Sequence, residues 1–223
     1  MTYPEIGSCA GLVAAVDSLG ILPLLPVPGL PGWSADEMAL PECRYARLPG
    51  GGWEWPLWSW KGGAVRESGC AYGKFLAGRA AFVSREWWPV FCCWRRAAFP
   101  APAEGSVERM VLDALRECGS LTTRELRTAC GFTGPGMRAK FDTLVTRLEM
   151  GCRIVTEDFV YPRDARGRDY GWGRSLLTTP EALFGRDACR PPCAPAEARS
   201  LLLGRLAALL PGARPARLAR LAG

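Results

Sequence analysis

Glu54 lies within a run, from Trp53 to Trp60, that holds four tryptophans in eight residues. A carboxylate enclosed by apolar rings has a raised pKa, which suits it to exchange a proton near neutral pH. Glu54 is therefore a candidate general acid or base. The alternatives are a first-turn acid of a helix and a salt-bridge partner, neither of which requires any chemistry.

Tyr72 and Lys74 are two further candidates, in the segment AYGKF at 71–75. Of the 28 basic residues, 25 are arginine, so Lys74 is one of only three lysines. An amine in such a chain indicates a need for a compact or titratable group. The alternative is a strand lysine that faces water. A catalytic role requires Glu54, Tyr72 and Lys74 to converge on one cavity.

Three residue types are absent from the 223 residues, namely histidine, asparagine and glutamine. Their absence excludes a Ser-His-Asp or Cys-His nucleophile and a histidine-ligated metal. It also excludes the bidentate reading of adenine by an amide side chain. Acid–base chemistry is left to Asp, Glu, Lys, Tyr and Cys.

The ten cysteines do not form a recognisable disulfide or zinc pattern, because the chain has no CxxC pair and no histidine. No signal peptide is recognisable at the start, and no run of 18 apolar residues is present to span a membrane. We therefore expect reduced, mostly buried thiols in a cytoplasmic protein that has no metal, no cofactor and no membrane contact.

The N-terminal part, residues 1–100, is predicted to be a helix and β-hairpin domain that is partly winged-helix-like. Residues 9–19 predict a helix that ends at Gly20, and 71–84 predict a hairpin. A further helix is predicted after Ser84 as its N-cap. The tryptophans at 53, 55, 58, 60, 87, 88 and 94 are interpreted first as core and second as a base-stacking wall.

Residues 106–185, which follow a proline-rich linker at 99–105, predict a second domain. The pattern indicates a helix from Val107, a helix after a capping box at Thr122, and a third helix that ends near Met150. Two strands, 153–161 and 172–177, follow. Three helices and a two-stranded ribbon predict a winged helix-turn-helix in an α+β protein. The alternative is an unrelated α+β domain with a helical hairpin.

The third helix and the wing supply the candidate nucleic-acid contacts. On the helix these are Lys140, Thr143 and Arg147, and on the wing they are Arg163, Arg166 and Arg168. The helical set shares one face and suits phosphates and a guanine edge. Asp142 and Glu149 are expected on another exposed face and would repel DNA. The alternative role for this domain is to bind a protein partner.

The C-terminal segment, residues 190–223, is predicted to be a basic helical tail. It carries six arginines against one acid, Glu197, and so holds most of the net charge of +6. Arg214, Arg217 and Arg220 fall on one face of its last helix. A solvated end-helix and a phosphate-binding arm are the two interpretations of this face.

Three stretches carry a resemblance to a known family. They are LGILPLLP at 19–26, AYGKFLAGRAAFVSREWWPVF at 71–91 followed by an arginine pair, and YGWGRSLLTTPE at 170–181. In this order they resemble the AlkZ-related proteins, distant relatives of the winged-helix DNA glycosylases that unhook interstrand crosslinks. The resemblance implies a tandem winged-helix architecture and association with DNA.

The first stretch departs from the crosslink glycosylases at the two positions that matter for their chemistry. Those enzymes have a segment similar to LGxLQxD or LGxLQxQ, in which two polar side chains act on the flipped nucleotide and its attacking water. This chain keeps the frame of that segment but has Pro23 and Leu25 at the polar positions. Neither side chain can orient water.

The sequence therefore predicts a DNA-associated protein of the repair type that lacks the polar catalytic pair and is not an enzyme by that mechanism. One alternative is an active DNA glycosylase that uses a different carboxylate, with Glu54 as the first candidate. The other is a protein-interaction module, which is favoured if the rest of the chain buries the face of the third helix.

Overall fold

The protein has an α+β fold in the computed structural model, which describes residues 3–167 and 171–222. The helices within these residues are α1 (Cys9–Leu19), α2 (Ala35–Met38), α3 (Pro56–Ser68), α4 (Trp88–Ala98), α5 (Val107–Cys118), α6 (Thr123–Ala129), α7 (Met137–Met150), α8 (Pro180–Phe184), α9 (Pro195–Leu209) and α10 (Pro215–Ala222). The strands are β1 (Ile21–Pro23), β2 (Ala46–Arg47), β3 (Trp53–Glu54), β4 (Ala71–Leu76), β5 (Arg79–Val83), β6 (Leu121–Thr122), β7 (Val155–Val160) and β8 (Arg174–Thr178).

The N-terminal half is built on an antiparallel sheet with the strand order β1-β5-β4. The predicted hairpin is confirmed as β4 and β5, joined at Ala77 and Gly78. Both residues have positive φ, which matches the twist of a two-residue hairpin turn. β1 is an edge strand and contains Pro23, a residue that edge strands tolerate because its missing N–H breaks no ladder bond.

Two helices of this half differ from the prediction. α3 was not predicted, although Pro56 in its first turn and the left-handed Gly69 at its end are ordinary boundary signals. α4 begins at Trp88 and not directly after Ser84. A helix from Ser84 would place Pro89 in its second turn, where the missing N–H breaks a helical bond, so a turn precedes α4.

The second half has the chain order α5, β6, α6, α7, β7 and β8, and its sheet has the order β6-β8-β7. The predicted capping box is confirmed, because Thr122 and Glu125 bond reciprocally at the start of α6. These elements enclose an apolar core of their own. Its buried residues are Val111, Leu112, Leu115, Leu126, Cys130, Phe141, Val145, Leu148, Ile154 and Leu177.

The C-terminal helices pack into the core of the N-terminal half. Six leucines of α9, α10 and their connection belong to that core, namely Leu202, Leu206, Leu209, Leu210, Leu218 and Leu221. Polar contacts fix the same junction. Arg205 donates to the carbonyls of Ser18 at 2.6 Å and Leu19 at 3.0 Å, at the end of α1. Tyr3 donates to the carbonyl of Leu209 at 2.6 Å.

Buried arginines join the two halves. Arg95 of α4 is fully buried and donates to the carbonyl of Met150 at 2.7 Å, at the end of α7. Arg96 donates to the carbonyl of Cys152 at 3.0 Å and forms an ion pair with Glu181 at 2.7 Å. Hydrogen bonds from charged donors to buried carbonyls are among the stronger ones in proteins, so the end of α7 is held firmly against α4.

The described residues show no cluster of three or more acidic or cysteine side chains that could hold a metal ion. All ten cysteines are free thiols in this structure, and seven of them are buried. In residues 3–167 and 171–222, no helix is long and apolar enough to cross a membrane.

Candidate functional site

Glu54 does not meet the other two catalytic candidates on one strand or one sheet. It lies on β3, which pairs only with β2 in the described structure, and its side chain is exposed. The flanking tryptophans therefore do not enclose the carboxylate. Tyr72 and Lys74 lie on β4, in the main N-terminal sheet. The structure thus groups two of the three predicted residues and leaves Glu54 apart.

Tyr72 is buried against aromatic rings of both halves. Its ring lies 4.7 Å from that of Phe82 and 5.6 Å from that of Phe159, measured between centroids. Burial raises the pKa of the Tyr72 hydroxyl, and the nearby Glu149 carboxyl group raises it further. Tyr72 is therefore a protonated packing residue at neutral pH.

Glu149 is the carboxylate that lies with Tyr72 and Lys74. The sequence predicted it on an exposed face of the third helix, which was wrong: the side chain is 4% exposed, because α7 packs against β4. Burial raises the pKa of Glu149 to about 7, and the charge of Lys74 opposes this shift. The Lys74 amine also donates to Thr146 at 3.0 Å. These groups form a polar contact between the two halves.

Replacement of Glu149 with glutamine should increase stability at pH 8 but not at pH 4. The folded pKa of about 7 exceeds the ordinary value of 4.5, so the charged form is disfavoured in the folded state. Wild-type stability falls on this account as pH rises from 4.5 to 7. We expect the variant to gain up to about 3 kcal/mol at pH 8, from about 1.4 kcal/mol per pKa unit.

Urea unfolding at the two pH values measures this gain. The matched control is Glu104→Gln, because Glu104 is exposed and lies in the linker. An equal gain at pH 4 and pH 8 would show that the change in packing, and not the charge, is responsible.

Lys61 is the titratable group that the sequence analysis missed. Its side chain is fully buried in α3, and its amine donates to the carbonyl of Trp58 at 3.1 Å and to the Tyr161 hydroxyl at 3.3 Å. The amine also lies 3.7 Å from the Trp58 ring centroid and 4.1 Å from that of Phe159. Burial lowers the pKa of Lys61 to about 7. The argument from rare lysines applied to this residue as well as to Lys74.

A cavity of about 700 Å³ lies beside Lys61, between α3 and the ribbon. Its lining residues include Trp53, Ser59, Arg66, Asp158, Phe159 and Tyr161. Arg66 and Asp158 form an ion pair there. Tyr161 lines the cavity and accepts a hydrogen bond from Lys61, so this tyrosine connects the buried amine to the cavity wall.

Glycines allow the close approaches around this cavity. A Cβ at Gly62 would come within 3.0 Å of the Asp158 carboxylate, and a Cβ at Gly173 would come within 2.7 Å of the Tyr161 ring. The two glycines therefore bring α3 and β8 against β7 and set the positions of Asp158 and Tyr161.

An aromatic cluster closes one side of this region, formed by Tyr45, Trp53, Trp55, Trp58 and Trp172. Trp172 belongs to the predicted wing and stacks on Trp53 at 4.3 Å with an interplanar angle of 8°. It remains 49% exposed. The wing tryptophan is therefore packed against the N-terminal half and still offers one face to a ligand.

The predicted nucleic-acid contacts lie as follows. Lys140, Thr143 and Arg147 are all exposed along α7. Arg163 and Arg166 lie between β7 and β8, with Arg166 exposed. Arg168, the third arginine of the predicted wing set, lies outside the described residues.

Four arginines that were not predicted surround a second cavity of about 400 Å³. They are Arg124 and Arg127 of α6, Arg138 of α7 and Arg174 of β8, together with Thr123 and Asp142. Asp142 is 3.7 Å from Arg138, so a single carboxylate faces four guanidinium groups. The i, i+3 spacing of Arg124 and Arg127 in a short helix was the signal in the sequence, and we call these four residues the arginine cluster.

Comparison with known proteins identifies a family. The sequence model of a family described as AlkZ related matches residues 6–223. Neither the curated proteins nor the solved structures gave a match.

Proposed function

The chain belongs to the AlkZ-related family, which relates it to AlkZ-type DNA-repair proteins, and we propose that it binds DNA through its second half. The observation that carries this proposal is the arginine cluster. Four guanidinium groups from α6, α7 and β8 surround one concave surface and face one carboxylate. Such a surface attracts phosphates and neutralises their charge.

We interpret residues 106–185 as a winged helix-turn-helix domain. The order of helix, strand, two helices and two strands matches that plan, and the third helix, α7, exposes Lys140, Thr143 and Arg147. When α7 lies in the major groove, the arginine cluster contacts the backbone of one DNA strand beside that groove. The wing arginines, Arg163, Arg166 and Arg168, contact phosphates farther along the duplex.

The packing of α7 limits how this helix approaches a groove. One face of its C-terminal end is covered, since Thr146 and Glu149 contact β4 and Arg95 bonds to the carbonyl of Met150. Lys140, Thr143 and Arg147 stay exposed on the other face. DNA therefore docks obliquely, on the N-terminal part of α7 and on α6, which is where the arginine cluster lies.

We further propose that the protein does not use the paired polar chemistry of the crosslink glycosylases. Pro23 is buried in β1, where it pairs with Ala81, and Leu25 is 42% exposed. Neither offers a hydrogen bond to a water or a sugar. The retained residues of this stretch have structural roles, because Leu22 is in the core and Gly20 ends α1.

A second candidate function, an active DNA glycosylase, is favoured by the cavity beside Lys61. The aromatic walls and the ion pair of this cavity suit a flat heterocycle. Asp158 lines the same cavity, so its carboxylate lies beside the space that a bound base would occupy. Glu54 is not favoured for this role because it is exposed on a separate sheet. Release of alkylated bases or unhooking of crosslinks by the purified protein would favour this alternative over binding alone.

The DNA-binding proposal predicts a specific loss in Arg124→Ala/Arg127→Ala. Fluorescence anisotropy with a labelled duplex, measured over a salt series from about 50 to 200 mM, gives the affinity and its salt dependence. We expect about tenfold weaker binding at the lowest salt and a salt slope smaller by about 2, because two phosphate contacts are lost.

The matched control for this experiment is Arg79→Ala/Arg186→Ala, which removes the same charge at two exposed positions. An equal loss of DNA affinity in both variants would show that the decrease in net charge alone weakens binding. If the wild-type protein shows no salt-dependent binding to duplex, forked or crosslinked DNA at about 50 mM salt, the proposal fails and a protein-interaction role takes its place.

A further inference from the structure

We propose that a cavity beside α10 is a binding site for a phosphate group, separate from the arginine cluster. The cavity has a volume of about 400 Å³ and is lined by Gly29, Gly212, Ala213, Arg214, Ala216, Arg217 and Arg220. Three of these seven residues are arginines, and none is acidic. This site does not depend on the proposed function of the second half.

The positive charges of the three arginines are not compensated within the part of the chain that the structure describes. Within residues 3–167 and 171–222, neither a carboxylate nor a hydrogen-bond acceptor contacts the side chain of Arg214, Arg217 or Arg220. Like charges that share one concave surface repel each other, and a bound anion removes that repulsion. The arrangement is therefore favourable when an anion is bound.

The scaffold that holds these arginines is rigid. The opposite face of α10 is anchored in the core by Leu218 and Leu221, which are 4% and 7% exposed. Arg217 lies directly on the turn at Gly29, where an added Cβ would come within 2.7 Å of both terminal guanidinium nitrogens. Gly29 has φ of 68° and closes a turn between Val27 and Leu30, so the platform for Arg217 is a fixed backbone turn.

Phosphate is the anion that fits this arrangement best. Guanidinium groups present paired N–H donors that match phosphate oxygens, and one phosphate has enough oxygens to accept from three arginines at once. A carboxylate has two oxygens and one charge, and leaves the third arginine unmatched. The phosphate group can come from a nucleic-acid strand or from a free phosphate, since the contacting chemistry is the same.

The test is a titration of the full chain with inorganic phosphate at constant ionic strength, with chloride as the balancing salt. The thermal unfolding midpoint reports binding, because a ligand that binds the folded state stabilises it. In Arg217→Gln/Arg220→Gln we expect the affinity for phosphate to fall at least about tenfold. The control Arg79→Gln/Arg186→Gln loses the same charge at exposed positions and should keep the affinity of the wild type.

A second arm of the experiment identifies the source of the phosphate. If the Arg217→Gln/Arg220→Gln variant also binds an oligonucleotide more weakly than the control does, the source is a strand. If oligonucleotide binding is unchanged while phosphate binding is lost, the source is a free phosphate. Both results support the site. Equal affinity of this variant and the wild type for phosphate, or no binding by the wild type at millimolar concentration, overturns it.

Discussion

Replacement of Lys61 with methionine should stabilise the protein by about 2 kcal/mol at pH 6, and this gain should disappear by pH 10.5. Lys61 is fully buried, and burial lowers its pKa from 10.5 to about 7. Below pH 7 the folded protein holds a buried charge that the unfolded chain exposes to water. Between pH 7 and 10.5 the unfolded chain binds the proton and the folded protein does not, so wild-type stability rises with pH.

The expected size of the Lys61 effect follows from two opposing contributions. The shift of the pKa corresponds to at most about 5 kcal/mol, at about 1.4 kcal/mol per unit. The rings of Trp58 and Phe159 favour the charged form by roughly 1 kcal/mol each, and the variant loses these contacts. Methionine is close to lysine in size and flexible enough to fill the space, so no cavity term is expected.

Urea unfolding at pH 6, 8 and 10 measures this prediction. Lys140→Met is the matched control, because Lys140 is an exposed lysine on α7 and its replacement should not change the pH profile. Lys61→Arg keeps a charge that cannot be lost and should destabilise the protein at all three values. A gain in Lys61→Met that is the same at pH 6 and pH 10 would contradict a neutral buried amine.

Replacement of Gly20 with alanine should destabilise the protein by about 3 kcal/mol. Gly20 has φ of 76°, a conformation that costs an L-residue about 1 kcal/mol or more. A Cβ there would also come within 2.4 Å of the Trp87 ring. That ring cannot move freely, because Arg205 lies 5.5 Å above it while donating to the end of α1. The backbone strain and the contact with Trp87 both lower the free energy of unfolding of the variant.

The matched control is Gly204→Ala, which makes the same chemical change in the exposed middle of α9 with nothing within 4 Å of the added Cβ. It should stabilise the protein by roughly 0.5–1 kcal/mol, because alanine favours a helix over glycine. Unfolding free energies from urea titration compare the two variants directly. A Gly20→Ala variant as stable as the wild type would show that this position does not require glycine.

The elements that carry strong local signals were predictable from the sequence. The β4–β5 hairpin, the capping box at Thr122 and the helical face of α7 all depend on spacing and on turn residues, which act within a few positions of the chain. α3 was not predicted, although Pro56 and Gly69 mark its ends. The family was also predictable, since its motifs are contiguous stretches.

The site residues were harder to predict because they depend on contacts between distant segments. Glu149 looks solvent-facing along α7 alone, and only the packing of α7 on β4 buries it. Lys61 is buried by Tyr161 and Phe159, a hundred residues away. The arginine cluster draws on three elements. Periodicity within one helix cannot show which of its faces another domain will cover.

The core shared by the N-terminal half with α9 and α10 has a consequence for the order in which these parts fold during synthesis. The N-terminal sheet lacks the leucines of α9 and α10 until residues 202–221 have left the ribosome. The middle segment, with its own core between Val111 and Leu177, is complete earlier. Although its residues are made later than the sheet, this segment can therefore fold first. The apolar surface of the N-terminal half stays exposed until α9 and α10 pack against it.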